Sequence, residues 1–195
     1  MRKADLRKQA LRQRNSLSEQ ELAELNKKLL ERFKTLDFSN VKSLHIFLPI
    51  LRHKEPNTWP LIDWLRRQHP EIKIIVPKAD FESNLMSHFH YRGQSDLALN
   101  RFGIPEPQNA DAFEGTPDMV LVPLLAFDER GYRVGYGKGF YDRFLENLDT
   151  QKIGLSFFGA AAQINDVHLN DIRLDKCITP DRIIDFTLNN HGKGL

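Results

Sequence analysis

Cysteine is nearly absent from this chain. Cys177 is the only one in 195 residues, so no disulfide can form within the chain, and a reducing compartment suits it. No apolar run approaches the ~20 residues of a membrane span. The basic N-terminus lacks a following apolar core, so no signal peptide is expected and the cytoplasm is the default location. Charge of one sign is also missing: 28 Lys and Arg face 26 Asp and Glu, and the balance of +2 is too small to imply a nucleic-acid partner. There is no internal repeat and no low-complexity linker, which favours one domain over 1–186, with 187–195 as a flexible tail. No Ser-His-Asp or Cys-His arrangement stands out, so nothing points to a protein nucleophile. Both common phosphate fingerprints are missing as well: no Gly-Lys is followed by Ser or Thr, and no Gly-x-Gly-x-x-Gly occurs. What remains, with 41% hydrophobic and 28% charged residues, is the composition of an ordinary globular domain.

The stretch from Met119 to Leu145 organises the rest. Met119, Val120, Leu121 and Val122 form an apolar run typical of a buried strand. A turn follows at Asp128-Glu129-Arg130-Gly131, then Arg133-Val134-Gly135-Tyr136-Gly137-Lys138-Gly139. Phe140, Tyr141, Phe144, Leu145 and Leu148 then recur at helical spacing. Glycines between a strand and a helix lie where an α/β fold binds phosphate, because free N–H groups and the helix dipole favour an anion. Glycine also leaves no Cβ in the way of an approaching anion. Arg133 and Lys138 supply positive charge, and Asp142 is a hard carboxylate suited to Mg²⁺. The competing reading is a flexible structural turn. The two cations and Asp142 in a strand-loop-helix setting favour phosphate.

Elsewhere the pattern alternates helix and strand. Arg2, Lys3, Arg7, Lys8, Arg12 and Arg14 crowd the first 14 residues, with Leu6, Leu11, Ala4 and Ala10 as a weak apolar stripe. That predicts a helix with a basic face, either solvated or resting on the body of the protein. Ser18 with Glu21 has capping-box form and opens an amphipathic helix to about Thr35. Ser43–Leu48 reads as a strand, Thr58 as an N-cap with Pro60 in the first turn, and Ile72–Val76 as a second strand. Strand, helix, strand predicts a parallel right-handed crossover. Leu85–Tyr91 alternates like a strand with His88 and His90 on one face. A third metal ligand at suitable spacing is not evident, so edge-strand histidines are expected, and His45 reads as a packed histidine. Lys152–Phe157 is another strand, and a last short one is expected near Ile183-Ile184.

Pro123-Leu124-Leu125-Ala126-Phe127-Asp128, Gly131, and Arg133 through Arg143 resemble the signature of the 5-formyltetrahydrofolate cyclo-ligase family, P-x-x-x-F-D-x-x-G-x-R-L-G-x-G-x-G-Y-Y-D. Val134 replaces the Leu and Phe140 the first Tyr. The resemblance implies an α/β fold with a mainly parallel sheet sandwiched by helices, similar to the ribose-phosphate isomerase and CoA-transferase group. It implies ATP-dependent conversion of 5-formyltetrahydrofolate to 5,10-methenyltetrahydrofolate with ADP and phosphate released, Mg²⁺ as cofactor, and small molecules as the only partners of a monomer, with no nucleic acid and no membrane. Arg133 and Lys138 would be the catalytic cations. Lys3 and Arg7, matching the family's K-x-x-x-R, would join Arg133, Val134, Gly135, Tyr136, Gly137, Lys138, Gly139, Phe140 and Tyr141 in holding ATP. Glu55, in Glu55-Pro56-Asn57-Thr58, matches E-x-x-T and would contact the folate, with Leu48 lining the same pocket. Phe102, before Gly103-Ile104-Pro105-Glu106, could lie against the pterin. Asp142 and Asp171 would hold the metal, with Asp175 a near competitor for the second place. The alternative is a non-catalytic nucleotide- or nucleic-acid-binding module using the basic N-terminal helix.

Overall fold

Met119, Val120, Leu121 and Val122 are each at most 1% exposed, as a strand covered on both faces must be. Met119 and Leu121 face one hydrophobic cluster and Val120 and Val122 a second, the two-residue alternation of a pleated strand. The computed structural model describes residues 1–188 except Phe102 and Asn109. Two helices lead, α1 (Lys3–Asn15) and α2 (Glu19–Phe33), followed by β1 (Ser43–His45), α3 (Trp59–Gln68), β2 (Lys73–Asp80) and β3 (Leu85–His90). The small pair β4 (Leu97–Leu99) and β5 (Pro105–Pro107) precedes β6 (Met119–Pro123), and β7 (Ala126–Phe127) and β8 (Arg133–Val134) form a hairpin. Then come α4 (Phe140–Leu145), β9 (Gln151–Leu155), β10 (Lys176–Ile178) and β11 (Ile183–Asp185).

The main sheet has seven strands in the order β11-β10-β9-β6-β1-β2-β3. Its five central strands are parallel, and each edge is closed by an antiparallel hairpin partner. α2 and α3 cover one face through Leu29, Phe33, Leu61, Ile62 and Leu65. The other face is covered by α4 through Leu145, and by Leu124, Phe127, Leu174 and Phe186. The chain runs from β1 outward to β2 in one direction and from β6 to β9 and β10 in the other. The carboxyl ends of β1 and β6 are therefore neighbours at the point where the winding reverses, which is where open α/β sheets bind ligands. Gly154 fits this packing because a Cβ there would come within 2.6 Å of Leu124 and 2.7 Å of Leu174.

Local signals held where the partner lies a few residues away. Ser18 and Glu21 form the capping box, Ser18 N–H donating to Glu21 Oε2 at 2.7 Å and Glu21 N–H to Ser18 Oγ at 3.2 Å. Three expectations need correction. Thr58 precedes α3 but does not cap it; its hydroxyl donates to the Phe47 carbonyl at 2.7 Å. The fourth helix stops at Leu145 rather than Leu148, because Glu146 turns extended (ψ 124°) and Asn147 takes a left-handed φ of 61°. The first strand ends at His45 rather than Leu48, with Ile46 N–H giving a last bond to the Ile75 carbonyl at 2.8 Å. The expected tail lies, from Asn189 onward, outside the described residues.

Candidate active site

α1 is the outer wall of the site. At about 100° per residue, positions 3, 7 and 14 fall within roughly 40° of one another on a helix, beside Leu6 and Ala10. Leu6 and Ala10 are buried, and the same face brings three of the helix's cations inward while Arg2, Lys8 and Arg12 stay exposed. Lys3 Nζ pairs with Asp171 Oδ2. Arg7 Nε donates to the Gly135 carbonyl at 2.9 Å. Arg14, only 2% exposed, donates from Nη2 to the Leu124 carbonyl at 2.7 Å and from Nη1 to the Tyr136 hydroxyl at 3.4 Å. The basic helix is thus a docked wall.

The glycine loop, 135–139, lies between this wall and α4. Gly137 has φ +93° and sits beneath Arg7, whose Nη2 would be 3.2 Å from any Cβ placed there. Gly135 is different: a Cβ there would meet nothing within 4 Å, so no protein packing demands a glycine at this position. Lys138 is exposed, and no ion pair holds its ammonium among the described residues. Val134 is buried with Leu6 and Ile164 and serves packing. Phe140 stands edge-on to Phe81, with ring centroids 5.5 Å apart.

Arg133 is built into the wall rather than swinging free. Its side chain is 6% exposed, with the guanidinium donating from Nη2 to Asp142 Oδ1 at 2.8 Å and from Nη1 to the Ile172 carbonyl. Burial pulls its acidity toward the neutral form, and Asp142 and Asp171 oppose that. Both acids therefore flank one cation. Asp142 Oδ1 also accepts the Ile172 N–H at 3.1 Å, and Asp171 Oδ2 accepts the His168 N–H at 2.7 Å. Among the described residues, Asp142 Oδ2 and Asp171 Oδ1 accept no hydrogen bond. Asp175 is committed elsewhere, to the Lys152 N–H at 2.7 Å and the Lys152 ammonium at 3.2 Å.

Across the opening, the segment after β1 supplies Glu55. It is 5% exposed and accepts the Ile50 N–H at 2.8 Å. Burial pushes its carboxyl up, opposed by that N–H, the Tyr136 hydroxyl, Arg14 and His53. Leu48 is buried in the same segment, three residues past β1, and Phe102 lies outside the described residues. Glu106, on β5, is buried and accepts from Asn100 at 2.7 Å, which explains it as a structural acid. Three buried polar atoms around Glu55 lack any protein partner: Arg14 Nε, His53 Nδ1 and Tyr141 OH. Such atoms are rare in folded proteins and mark places where a ligand or water completes the bonding. Sequence reading passed over Arg14, which stood out only as one of six basic residues. The i, i+4, i+11 stripe with Lys3 and Arg7 was the available signal. It also left His45 without a partner. His45 is fully buried, its Nε2 3.2 Å from His88 Nδ1, and His88 stacks on Phe144 at 4.0 Å.

The arrangement brings the glycine loop, the inward cations of α1 and the buried Glu55 carboxylate to one place. Comparison with known proteins gives it a family. Residues 1–180 match the model of the 5-formyltetrahydrofolate cyclo-ligase family. A 5-formyltetrahydrofolate cyclo-ligase of Escherichia coli K12 is 35% identical over 136 residues, covering 66% of this chain and 74% of that protein. The solved structure of 5,10-methenyltetrahydrofolate synthetase from Aquifex aeolicus superposes with a TM-score of 0.81 at 32% identity, covering 100% of this chain and 96% of that one. That of Mycoplasma pneumoniae gives 0.72 at 26% identity, covering 91% and 98%. The chain belongs to the 5-formyltetrahydrofolate cyclo-ligase family.

Proposed function

We propose that the chain performs its family's reaction, in which ATP and 5-formyltetrahydrofolate give 5,10-methenyltetrahydrofolate, ADP and phosphate. The observation that carries this reading is the meeting, at the carboxyl ends of β1 and β6, of the glycine loop, the inward cations of α1 and the buried Glu55. The formyl oxygen is a poor leaving group. Its attack on the γ-phosphorus expels ADP and leaves an imidate-like phosphate; N10 then bonds to the formyl carbon, and phosphate departs as the ring closes. No protein nucleophile is needed, so the protein's contribution is placement and charge stabilisation.

Lys138, exposed and in no ion pair among the described residues, is the mobile cation for the transferring phosphoryl group, and Arg133 is the fixed one. Gly135, Gly137 and Gly139 would offer their N–H groups to phosphate oxygens, and Lys3, Arg7, Val134, the Tyr136 backbone, Phe140 and Tyr141 would shape the ATP half. Glu55 and Leu48 belong to the folate half. No group of three or more His, Cys, Asp or Glu side chains able to hold a metal occurs among the described residues. Mg²⁺ usually takes one or two carboxylates and completes its shell with waters and phosphates. The free oxygens of Asp142 and Asp171, both beside Arg133, fit that donor set. When bound, the ion would neutralise phosphate charge there. The test is direct: methenyltetrahydrofolate absorbance should grow only when ATP and Mg²⁺ are both present. Growth without ATP, or none with it, overturns the reading.

A further inference from the structure

Tyr136 stands in the middle of the glycine loop, yet its hydroxyl is committed across the opening. It receives Arg14 Nη1 at 3.4 Å and lies in the field of the Glu55 carboxylate on the other side. Arg14 is itself anchored, Nη2 donating to the Leu124 carbonyl at 2.7 Å where β6 ends. This guanidinium is 2% exposed and spends its hydrogen bonds on a carbonyl and a phenol instead of a carboxylate, while its Nε has no partner. A cation so far removed from water needs a compensating charge. The anion in its field is Glu55, itself 5% exposed and pinned by the Ile50 N–H. Two hydrogen-bonded arms, Leu124 carbonyl–Arg14–Tyr136 from the end of β6 and Ile50 N–H–Glu55 from the segment after β1, meet where the Tyr136 hydroxyl and the Glu55 carboxylate interact.

We propose that Arg14 and Tyr136 are positioning residues for the folate half of the site, locking Glu55 in the orientation from which it meets the folate. This rests on the function proposed above and deepens it: a side chain inside the ATP loop serves the other substrate. The loop backbone remains with the phosphates.

The test is steady-state kinetics with each substrate varied at saturation of the other, across a pH series. The variants are Tyr136→Phe, Arg14→Lys, Glu55→Gln and the double variant Tyr136→Phe/Glu55→Gln. Tyr136 is 41% exposed, so losing its hydroxyl does not threaten the fold; Arg14→Lys is checked by its melting curve. Tyr136→Phe is expected to raise KM for 5-formyltetrahydrofolate about tenfold, the worth of one hydrogen bond to a charged group, with KM for ATP changing less than about twofold. The acid limb of kcat/KM for the folate should move to higher pH in Tyr136→Phe, since the hydroxyl opposes the burial that disfavours ionised Glu55, and move less in Arg14→Lys, which keeps the positive charge. The double variant should be no worse than Glu55→Gln alone. Equal rises in both KM values, an unmoved acid limb, or additive losses would each overturn the proposal. Wild-type turnover is read in the same assay. Its absence overturns the functional reading and this inference together, whereas turnover with an unaffected Tyr136→Phe overturns this inference alone.

Discussion

Arg7 Nε donates to the Gly135 carbonyl at 2.9 Å, tying the first helix to the glycine loop across 128 residues of sequence. The loop's backbone is thereby held by a side chain from outside it, and among the described residues the N–H groups of 135–139 donate no hydrogen bond to another backbone group. Several expectations depend on that division of labour.

Lys138→Ala should lower kcat by about 10²-fold, the effect of losing one preorganised charge donor. Its melting temperature should not move, because the side chain is exposed and unpaired among the described residues. Single-turnover rates and a thermal scan on one preparation check both statements. A folded, fully active variant would mean the loop is not the phosphate site.

Gly135→Ala separates ligand space from protein space. A Cβ at this position meets no protein atom within 4 Å, so stability should be unchanged or slightly raised. The added methyl intrudes where the phosphates approach, and KM for ATP should rise several-fold. An unchanged KM for ATP would place the nucleotide elsewhere.

Asp142→Asn should do two things at once. The carboxylate pairs with the guanidinium of a side chain that is only 6% exposed, so its loss should cost about 1–3 kcal/mol of stability, moderated because Asp142 itself is 32% exposed. The rate at saturating ATP should also need several-fold more Mg²⁺ to reach half its maximum. Denaturant unfolding measures the first and a metal titration the second. A wild-type titration midpoint alongside the stability loss would leave Asp142 as Arg133's counter-ion and nothing more.

The His45–His88 pair makes a pH statement. Burial pulls His88 down from 6.5 to about 4 and His45 well below its ordinary value. Both imidazoles are therefore neutral in the folded protein at pH values where the unfolded chain has begun to bind protons. The unfolded state takes up more protons between about pH 6.5 and 4, so stability falls as pH falls through that window. His88→Phe, which keeps a ring against Phe144, should flatten that part of the curve in urea unfolding series. An equally steep curve in the variant would assign the acid sensitivity to other groups.

Much of the fold was legible because its determinants are local. The capping box joins residues three apart, and the apolar run Met119–Val122 carries its burial on both faces in its own composition. The winding from β1 through α3 to β2 followed from alternating periods, and the glycine loop with its cations followed from a contiguous motif. The α4 boundary and the Thr58 hydroxyl were misjudged because other groups compete for them: the backbone turn at Asn147, and the Phe47 carbonyl.

The sequence by itself determined the parallel α/β framework, the place of the glycine loop between an apolar strand and a helix, and the family signature that spans it. Only the tertiary structure decided which of six N-terminal cations turn inward, that Asp142 answers Arg133, and that Tyr136 reaches Glu55. It also decided that Asp175 serves Lys152 while Asp171 stays at the site. The physical reason is separation. Arg14 and Tyr136 lie 122 residues apart and His45 and His88 43 apart, so no local period or propensity encodes their meeting. It arises when the sheet forms and the carboxyl ends of β1 and β6 are brought side by side, where desolvation forces each buried charge to find a partner.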